Sequence, residues 1–399
     1  MKVEIEKLDH FGRGITYIDG KVCFVEKALP GEIVKIKIIK DSKKYMLGKI
    51  IDYYKLADDR VEEVCRYSDI CGGCNLSHLD FKAENDYKCM KVKEILKKFG
   101  NVSSDKVLDV VSASAYNYRN KVTLHGDDNK LGYCVNGSNQ VFGIDECLLA
   151  SRKINDVISV LRKMSYKDKI KEALVRINNE EDELMVSLTG DVEDYEELNN
   201  LVDTLIINDE VVLGDGKIIS SISDKKYYVS SKSFFQVNME ITKLLYDEVL
   251  KVVEKNKPKK VLDLYCGTGT IGIYVSDFAD KIIGVDYSES GIRDANLNKE
   301  LNDVSNVEFI CDKVENVIDN FDDIDLVIVD PPRAGLDNKT IDNIKRIGAD
   351  TLVYVSCDPA TLGRDLKLLE DEYEVLYVKP FNMFPRTYHI ENFVELKKK

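Results

Sequence analysis

Along residues 1–55 apolar and polar positions alternate in short runs: VEIEKL, GRGITYIDGKVCFVEKAL, EIVKIKIIKD and YMLGKIIDYY. A period of two predicts strands. Gly12, Gly14, Gly20, Pro30 and Gly31 punctuate them. About five short strands in so few residues predict a small barrel of the OB type, an architecture that often holds oligonucleotides. Residues 58–80 form a cysteine-rich turn, and 81–100 (FKAENDYKCMKVKEILKKFG) have helical spacing that stops at Gly100. Residues 107–230 mix strands and helices, with KVTLHG, LGYCV, LVRINN, LMVSLTG and KYYVSS as strands. From about 231 the pattern changes. A helix over SFFQVNMEITKLLYDEVLKVVEK leads into KKVLDLYCG, DKIIGVD, VEFICD, IDLVIVDPP and TLVYVSCD, strands that alternate with helices. Regular β–α alternation predicts an α/β fold with a parallel, doubly wound sheet. The last two runs, YEVLYVKPF and NFVELKK, stand too close for a helical crossover and predict an antiparallel hairpin at one edge. The expected division is a barrel at 1–55, a central α+β region at 56–230 and the α/β region at 231–399.

Composition and charge refine this. In 399 residues, 44% are hydrophobic and 32% charged, an ordinary globular balance. No run approaches the ~18 apolar residues that cross a bilayer, and the acidic start MKVEIEK does not read as a signal peptide. A cytoplasmic protein without membrane contact is expected. There, ten cysteines point to metal binding or catalysis rather than disulfides. The net charge of −14 argues against a simple polyanion binder, but residues 1–55 carry 12 Lys and Arg against 8 Asp and Glu. That excess of +4 makes the barrel the expected electrostatic contact for a nucleic acid.

The chemistry-bearing motifs sit where the α/β strands end. Asp263-Leu264-Tyr265-Cys266-Gly267-Thr268-Gly269-Thr270 follows an apolar strand and opens a helix, and its glycines let backbone approach a ligand. Asp286 ends the next strand, placed to accept ribose hydroxyls. This spelling fits S-adenosylmethionine better than a dinucleotide. Asp330-Pro331-Pro332-Arg333 ends the fourth strand; Pro-Pro cannot continue a ladder and stiffens the crevice wall. Arg333, where amine methylases place an aromatic residue, argues against an amine target. The fifth strand ends Val355-Ser356-Cys357-Asp358-Pro359, which sets Cys357 at the same crevice. A thiolate adding to carbon 6 of a pyrimidine makes carbon 5 nucleophilic. A general base must then remove the carbon 5 proton. Candidates are Glu391, Asp358 and His389.

Cys65-x5-Cys71-Gly72-Gly73-Cys74 is a tight trio that wants a fourth thiolate. Outside the α/β region the candidates are Cys23, Cys89, Cys134 and Cys147, the last at a strand-to-helix turn. Spacing does not separate zinc from an iron–sulfur cluster.

FFQVN, DLYCGTGT, DPPR, VSCDPATLGRD and FPRTYHIE, in this order, resemble the RNA uracil-5-methyltransferases, in particular those making 5-methyluridine in bacterial 23S ribosomal RNA, and with the N-terminal segment the resemblance covers essentially the whole chain. The resemblance implies a class I (Rossmann-like) S-adenosylmethionine-dependent methyltransferase domain, an N-terminal TRAM domain of OB type and a central iron–sulfur domain. It implies Cys357 as nucleophile and Glu391 as proton acceptor, with Gln236, Tyr265, Asp286 and Asp330 binding the methyl donor. It also implies a 4Fe–4S cluster on Cys65, Cys71, Cys74 and Cys147. The TRAM-like segment and four cysteines together favour 23S ribosomal RNA as partner, with transfer RNA as the alternative, and a monomer is expected. Three positions depart from the frequent pattern: Asp286 for Glu, Asn382 for Asp and Arg386 for His. The last two bear on how the base is positioned.

Overall fold

The computed structural model describes residues 1–127, 129–164 and 167–399. The first 55 residues form a six-stranded sheet in the order Lys2–Glu4, Ile33–Asp41, Met46–Lys55, Lys21–Val25, Gly14–Ile18, Lys7–Leu8. The first expected strand is split. Lys2–Glu4 pairs with Ile33–Asp41 at one edge, and Lys7–Leu8 with Gly14–Ile18 at the other. One chain segment thus joins both edges and closes the sheet, which leaves no edge unpaired. Ile5, Ile18, Cys23, Val25, Val34 and Ile36 fill the interior. Cys23 is fully buried there, which removes it from the candidate ligands.

Residues 56–80 hold no named helix or strand. Helix Phe81–Gly100 follows, capped by Asp80, whose carboxylate accepts from the amides of Lys82 and Ala83. Although far away in sequence, this helix packs on helix Pro359–Leu369 and puts Val92 and Leu96 into the core of the C-terminal sheet. The segment after it runs alongside the edge strand Tyr373–Phe381: the amides of Leu108 and Val111 donate to the carbonyls of Val378 and Pro380. The central sheet has seven strands in the order Glu210–Leu213, Thr204–Ile207, Leu184–Gly190, Ile170–Ile177, Lys121–Asp127, Lys130–Cys134, Val141–Gly143. Helix Arg152–Leu161 contributes Ile154, Val157, Ile158 and Leu161 to its core.

The C-terminal sheet is ordered Val307–Cys311, Lys281–Asp286, Lys260–Leu264, Leu326–Val329, Thr351–Ser356, Glu391–Lys398, Tyr373–Phe381. The first five strands are parallel and the last two antiparallel. The expected hairpin is present, and its second strand lies inside, against Thr351–Ser356. The direction of winding reverses between Lys260–Leu264 and Leu326–Val329, which opens a crevice at the carboxyl ends of the strands.

The helix expected from Ser233 begins at Met239. Asn238 caps it, and the segment before it is held irregular by the central sheet. Buried Arg176 donates to the carbonyls of Ser230 (2.9 Å) and Ser233 (3.2 Å), and Asn120 Nδ2 donates to that of Gln236 (3.0 Å). Helical ladder bonds lose to these tertiary ones. Among the described residues no helix is long and apolar enough to cross a membrane.

Candidate active site

The crevice has a volume of about 790 Å3 and is lined by Gln236, Tyr265, Asp286, Asp330, Cys357 and Glu391 together. Each arrives from a different strand end or loop. After strand Lys260–Leu264 the chain turns sharply through Tyr265, Gly267 and Gly269, all at positive φ. Gly269 has no alternative, since an added Cβ would lie 2.4 Å from the Phe309 ring. A Cβ on Gly267 would meet nothing within 4 Å. The Asp286 carboxylate accepts from the amides of Gly267 (3.0 Å) and Ser288 (2.8 Å). Asp in place of the frequent Glu therefore ties two crevice loops together. Beneath the turn, buried Asp263 accepts from the Gly272 amide at 3.1 Å, and burial with the nearby charge of Asp330 pushes it up to about 8.

Strand register joins Cys357 to Glu391. Ser356 pairs with Asn392 across the antiparallel ladder, and one step further along each chain are Cys357 and Glu391. Asn392 Nδ2 donates to the Ser356 carbonyl at 3.1 Å and fixes that end of the ladder. Burial pushes Asp330 up to about 7. It pushes Glu391 well above the carboxylate range, with the charge of Asp330 adding to the effect and Arg333 opposing it. The Cys357 thiol is pushed up to about 12, by burial first and then by Glu391 and Asp330, with Arg333 again opposing. The crevice thus holds exchangeable protons, with the exposed Arg333 cation acting against their retention.

The rival bases have other work. Asp358 Oδ1 accepts from the amides of Ala360 (2.8 Å) and Thr361 (3.2 Å), capping helix Pro359–Leu369. His389 lines the crevice, but burial and Arg333 push it down to about 4. Its ring lies 4.2 Å from that of Tyr388 and 6.0 Å from that of Phe384.

Asn382 and Arg386 are both buried on the loop that leads to Glu391. Asn382 accepts from Lys88 Nζ (2.6 Å) and donates to Glu84 (3.0 Å) and Asn85 (2.8 Å). Lys88 and Glu84 form a fully buried ion pair at 2.8 Å. The Arg386 amide donates to Glu84 at 3.0 Å, and its guanidinium to the Leu79 carbonyl at 2.8 Å. The two departures from the frequent pattern are therefore matched by partners on helix Phe81–Gly100, and the loop is anchored.

Two exposed aromatic residues at the crevice escaped the sequence reading. Phe234 is 69% exposed and Tyr287, next to Asp286, is 70% exposed. Tyr287 directly follows strand Lys281–Asp286, whereas Phe234 lies in the irregular segment before Met239, so no common local pattern marks the two.

A second cavity, about 690 Å3, is lined by Cys65, Cys71, Cys74 and Cys147, with Cys134, Tyr133, Arg119 and Arg386. All ten cysteines are free thiols. Burial raises Cys74 to about 12, helped by the nearness of Cys147, Cys71 and Cys65, while Arg119 opposes. Cys134 is absent from these couplings, and Cys89 donates to the Leu108 carbonyl at 3.6 Å instead. The Gly73 amide donates to Cys71 Sγ at 3.4 Å, and Asn155 bonds both the amide and the carbonyl of Cys147. Arg119 Nε is buried without a partner. Among the described residues no three His, Cys, Asp or Glu side chains are gathered tightly enough to hold a single metal ion. Four soft thiols and a buried cation around one cavity have the donor chemistry of an anionic thiolate-bound group.

Comparison with known proteins agrees with this geometry. Residues 80–399 match the family described as tRNA (Uracil-5-)-methyltransferase, and residues 1–51 match the TRAM domain. An uncharacterized RNA methyltransferase of Halalkalibacterium halodurans is 31% identical, covering 100% of this chain and 97% of that protein. One from Clostridium acetobutylicum is 34% identical, covering 100% and 96%. The crystal structure of Pyrococcus abyssi tRNA (uracil-54, C5)-methyltransferase in complex with S-adenosyl-L-homocysteine superposes with a TM-score of 0.84 at 26% identity, over 99% of both chains. The chain belongs to the tRNA (uracil-5-)-methyltransferase family of S-adenosylmethionine-dependent RNA methyltransferases, with a TRAM domain at its amino terminus.

Proposed function

We propose that this enzyme methylates carbon 5 of one or a few uridines in 23S ribosomal RNA through a covalent bond to Cys357. The observation that carries the reading is the ladder register that sets Cys357 beside Glu391 in the donor crevice. Gln236, Tyr265, Asp286 and Asp330 hold the donor, with Asp286 facing the ribose and Asp330 facing the methyl-bearing end. The target uridine leaves its stack, which costs a few kcal/mol and favours partly unpaired loops. The Cys357 thiol loses its proton to solvent, and the Sγ thiolate bonds to carbon 6 while the carbon 5–carbon 6 π pair moves into the ring enolate. Carbon 5 then takes the methyl group from the donor sulfonium, releasing the neutral thioether. Glu391 accepts the proton from carbon 5, the Sγ–carbon 6 bond breaks, and 5-methyluridine leaves. Asp358 serves as the helix cap rather than the base.

Cys65, Cys71, Cys74 and Cys147 would hold a 4Fe–4S cluster. When bound it supplies a covalent staple for a segment without regular structure, and Arg119 offsets its negative charge. The barrel and the central sheet have cores of their own, which supports the division at residue 55, while the 230/231 boundary is crossed: Val92 and Leu96, and Ile218, Ile222, Tyr227 and Val229, pack into the cores of the C-terminal sheet.

Transfer RNA is the second reading, favoured by the likeness to the Pyrococcus abyssi enzyme over the whole chain. Incubation with the donor and unmodified 23S ribosomal RNA or transfer RNA transcripts, followed by nucleoside mass spectrometry, separates the two. We expect 5-methyluridine in the ribosomal transcript alone. Product in transfer RNA alone would overturn the substrate, and product in neither would overturn the reading.

A further inference from the structure

A row of rings leaves the crevice and ends on the barrel. Phe384 and His389 line the crevice. Tyr388 follows, and Phe11 lies beyond it with ring centres 5.4 Å apart and planes at 80°. Phe11 belongs to the turn Asp9–Arg13 and is 54% exposed. The Tyr388 ring is half-buried against His389, Lys91 and Phe11, and the edge-to-face contact leaves Phe11 as the ring most open to a further partner.

The turn is built to hold Phe11 still. Asp9 Oδ1 accepts from the amides of Phe11 (2.9 Å) and Arg13 (2.8 Å), and the Asp9 carbonyl accepts from Gly12 (3.1 Å) and Tyr87 Oη (2.7 Å). Gly12 has φ +78, and a Cβ there would lie 2.7 Å from Leu76. A cation stands beside three of the four rings. The Arg13 guanidinium lies 5.3 Å from the Phe11 centre and exposed Arg333 stands 3.4 Å from the His389 ring nitrogens, while Lys91 is buried, with Nζ 5.2 Å from the Tyr388 centre and donating to the Tyr388 carbonyl at 2.8 Å. Arg13 is also paired with Asp9. A rigid exposed ring, continuous with a crevice that admits one extruded base and flanked by cations, is how single-stranded nucleic acid is held: bases on π faces, phosphates on positive charge.

We propose that Phe11 and Tyr388 form a stacking ledge for the unpaired nucleotides that flank the target uridine, so that the barrel takes part in presenting the substrate base. This rests on the RNA-methylation reading and adds where the strand lies. Stacking is tolerant of base identity, so the ledge selects single-stranded character and not sequence.

The test uses the full chain and a fluorescein-labelled dodecauridylate, with anisotropy read over a range of salt. Loss of one stacked base raises Kd on the order of 5- to 150-fold. We expect that rise for Phe11→Ala, Tyr388→Ala and Phe11→Leu, with Phe11→Trp binding like the parent. The salt slope should not change, because a ring releases no counterions. Donor affinity and melting temperature of Phe11→Leu should match the parent. Parental RNA affinity in Phe11→Leu, a loss of affinity that follows a loss of melting temperature, or no binding of the oligonucleotide by the parent would each overturn the ledge. Failure of the methylation reading shows separately, as absence of 5-methyluridine from the parent enzyme.

Discussion

The two cavities of this molecule are built in opposite ways. In the donor crevice every chemical group stands at the end of a strand or in the turn that follows, and ladder register sets its neighbours. In the cysteine cavity three of the four proposed ligands lie between residues 56 and 80, where backbone order comes from isolated bridges such as Arg60–Leu79 and Cys71–Val135. The crevice can hold its geometry without a ligand, because parallel strands buried on both faces fix it. The thiols lack such a frame and repel one another once ionised, so their order should depend on the group they bind. Preorganisation in one region and ligand-dependent order in the other give different responses to the same kind of damage.

The largest effect tests the first half of that contrast. Cys357→Ala should lower turnover on the order of 10⁴-fold or more, while donor affinity and the thermal midpoint stay at parental values. Glu391→Gln should leave the carbon 5 proton in place and accumulate RNA bound covalently to the protein. A gel shift that survives denaturant reads it out. A large loss of melting temperature in Cys357→Ala would show that the crevice is not preorganised.

Much of the crevice was legible because its motifs are contiguous. DLYCGTGT, DPPR and SCDP each keep a strand end and its turn together, so periodicity and turn chemistry place Tyr265, Asp330 and Cys357 without knowledge of distant contacts. The insertion of strand Glu391–Lys398 beside Thr351–Ser356 was not legible, because it depends on register; the capping role of Asp358 is local, signalled by Asp followed by Pro at a helix start, and its place beside the nucleophile hid it. The anchoring of the base loop was hidden for a plainer reason. Asn382 meets Lys88 and Glu84 across almost 300 positions, and no local pattern reports such a pair. In the cysteine cavity the trio was visible by spacing, while the fourth thiol is set by where strand Val141–Gly143 delivers the chain.

The second prediction concerns the bridge between the cavities. Arg386 lines the cysteine cavity and its loop leads to Glu391 in the crevice, with both held through Glu84 and Lys88. Lys88→Met takes the ammonium partner from the buried Glu84 carboxylate and the donor from the Asn382 carbonyl oxygen. It should cost about 3–5 kcal/mol in denaturant unfolding, and pairing it with Glu84→Gln should recover part of that loss. If the single variant is as stable as the parent, the loop is held by packing alone.

The third prediction tests the other half of the contrast. A group bound at a thousandfold excess over its Kd adds about 4 kcal/mol to stability. Chelation of iron from anaerobically purified protein, or Cys74→Ser, should therefore remove the visible absorbance of the cluster and lower the melting transition. Donor binding measured by calorimetry should persist. Equal losses in both cavities would mean that they fold as one unit, joined by the Glu84–Lys88 bridge.

The smallest effect separates charge from geometry within the crevice. Cys357 and Glu391 are both pushed up by burial and by the charge of the neighbouring acids, and in both cases Arg333 opposes the shift. The reacting forms are thiolate and carboxylate, so their populations grow as pH rises towards the raised values. The rate of methyl transfer should accordingly climb from pH 6 to pH 9 and show no neutral maximum. Arg333→Ala withdraws the opposing charge and raises both groups further. At neutral pH it should be slower by about tenfold, equivalent to roughly one pH unit or 1.4 kcal/mol, with the deficit shrinking as pH rises. Arg333→Lys keeps the charge and should restore the profile even though it loses the contact with His389. A deficit constant across pH and not repaired by lysine would mean that Arg333 acts by shape, through His389 and the aromatic row, and that the protons of the crevice are governed by burial alone.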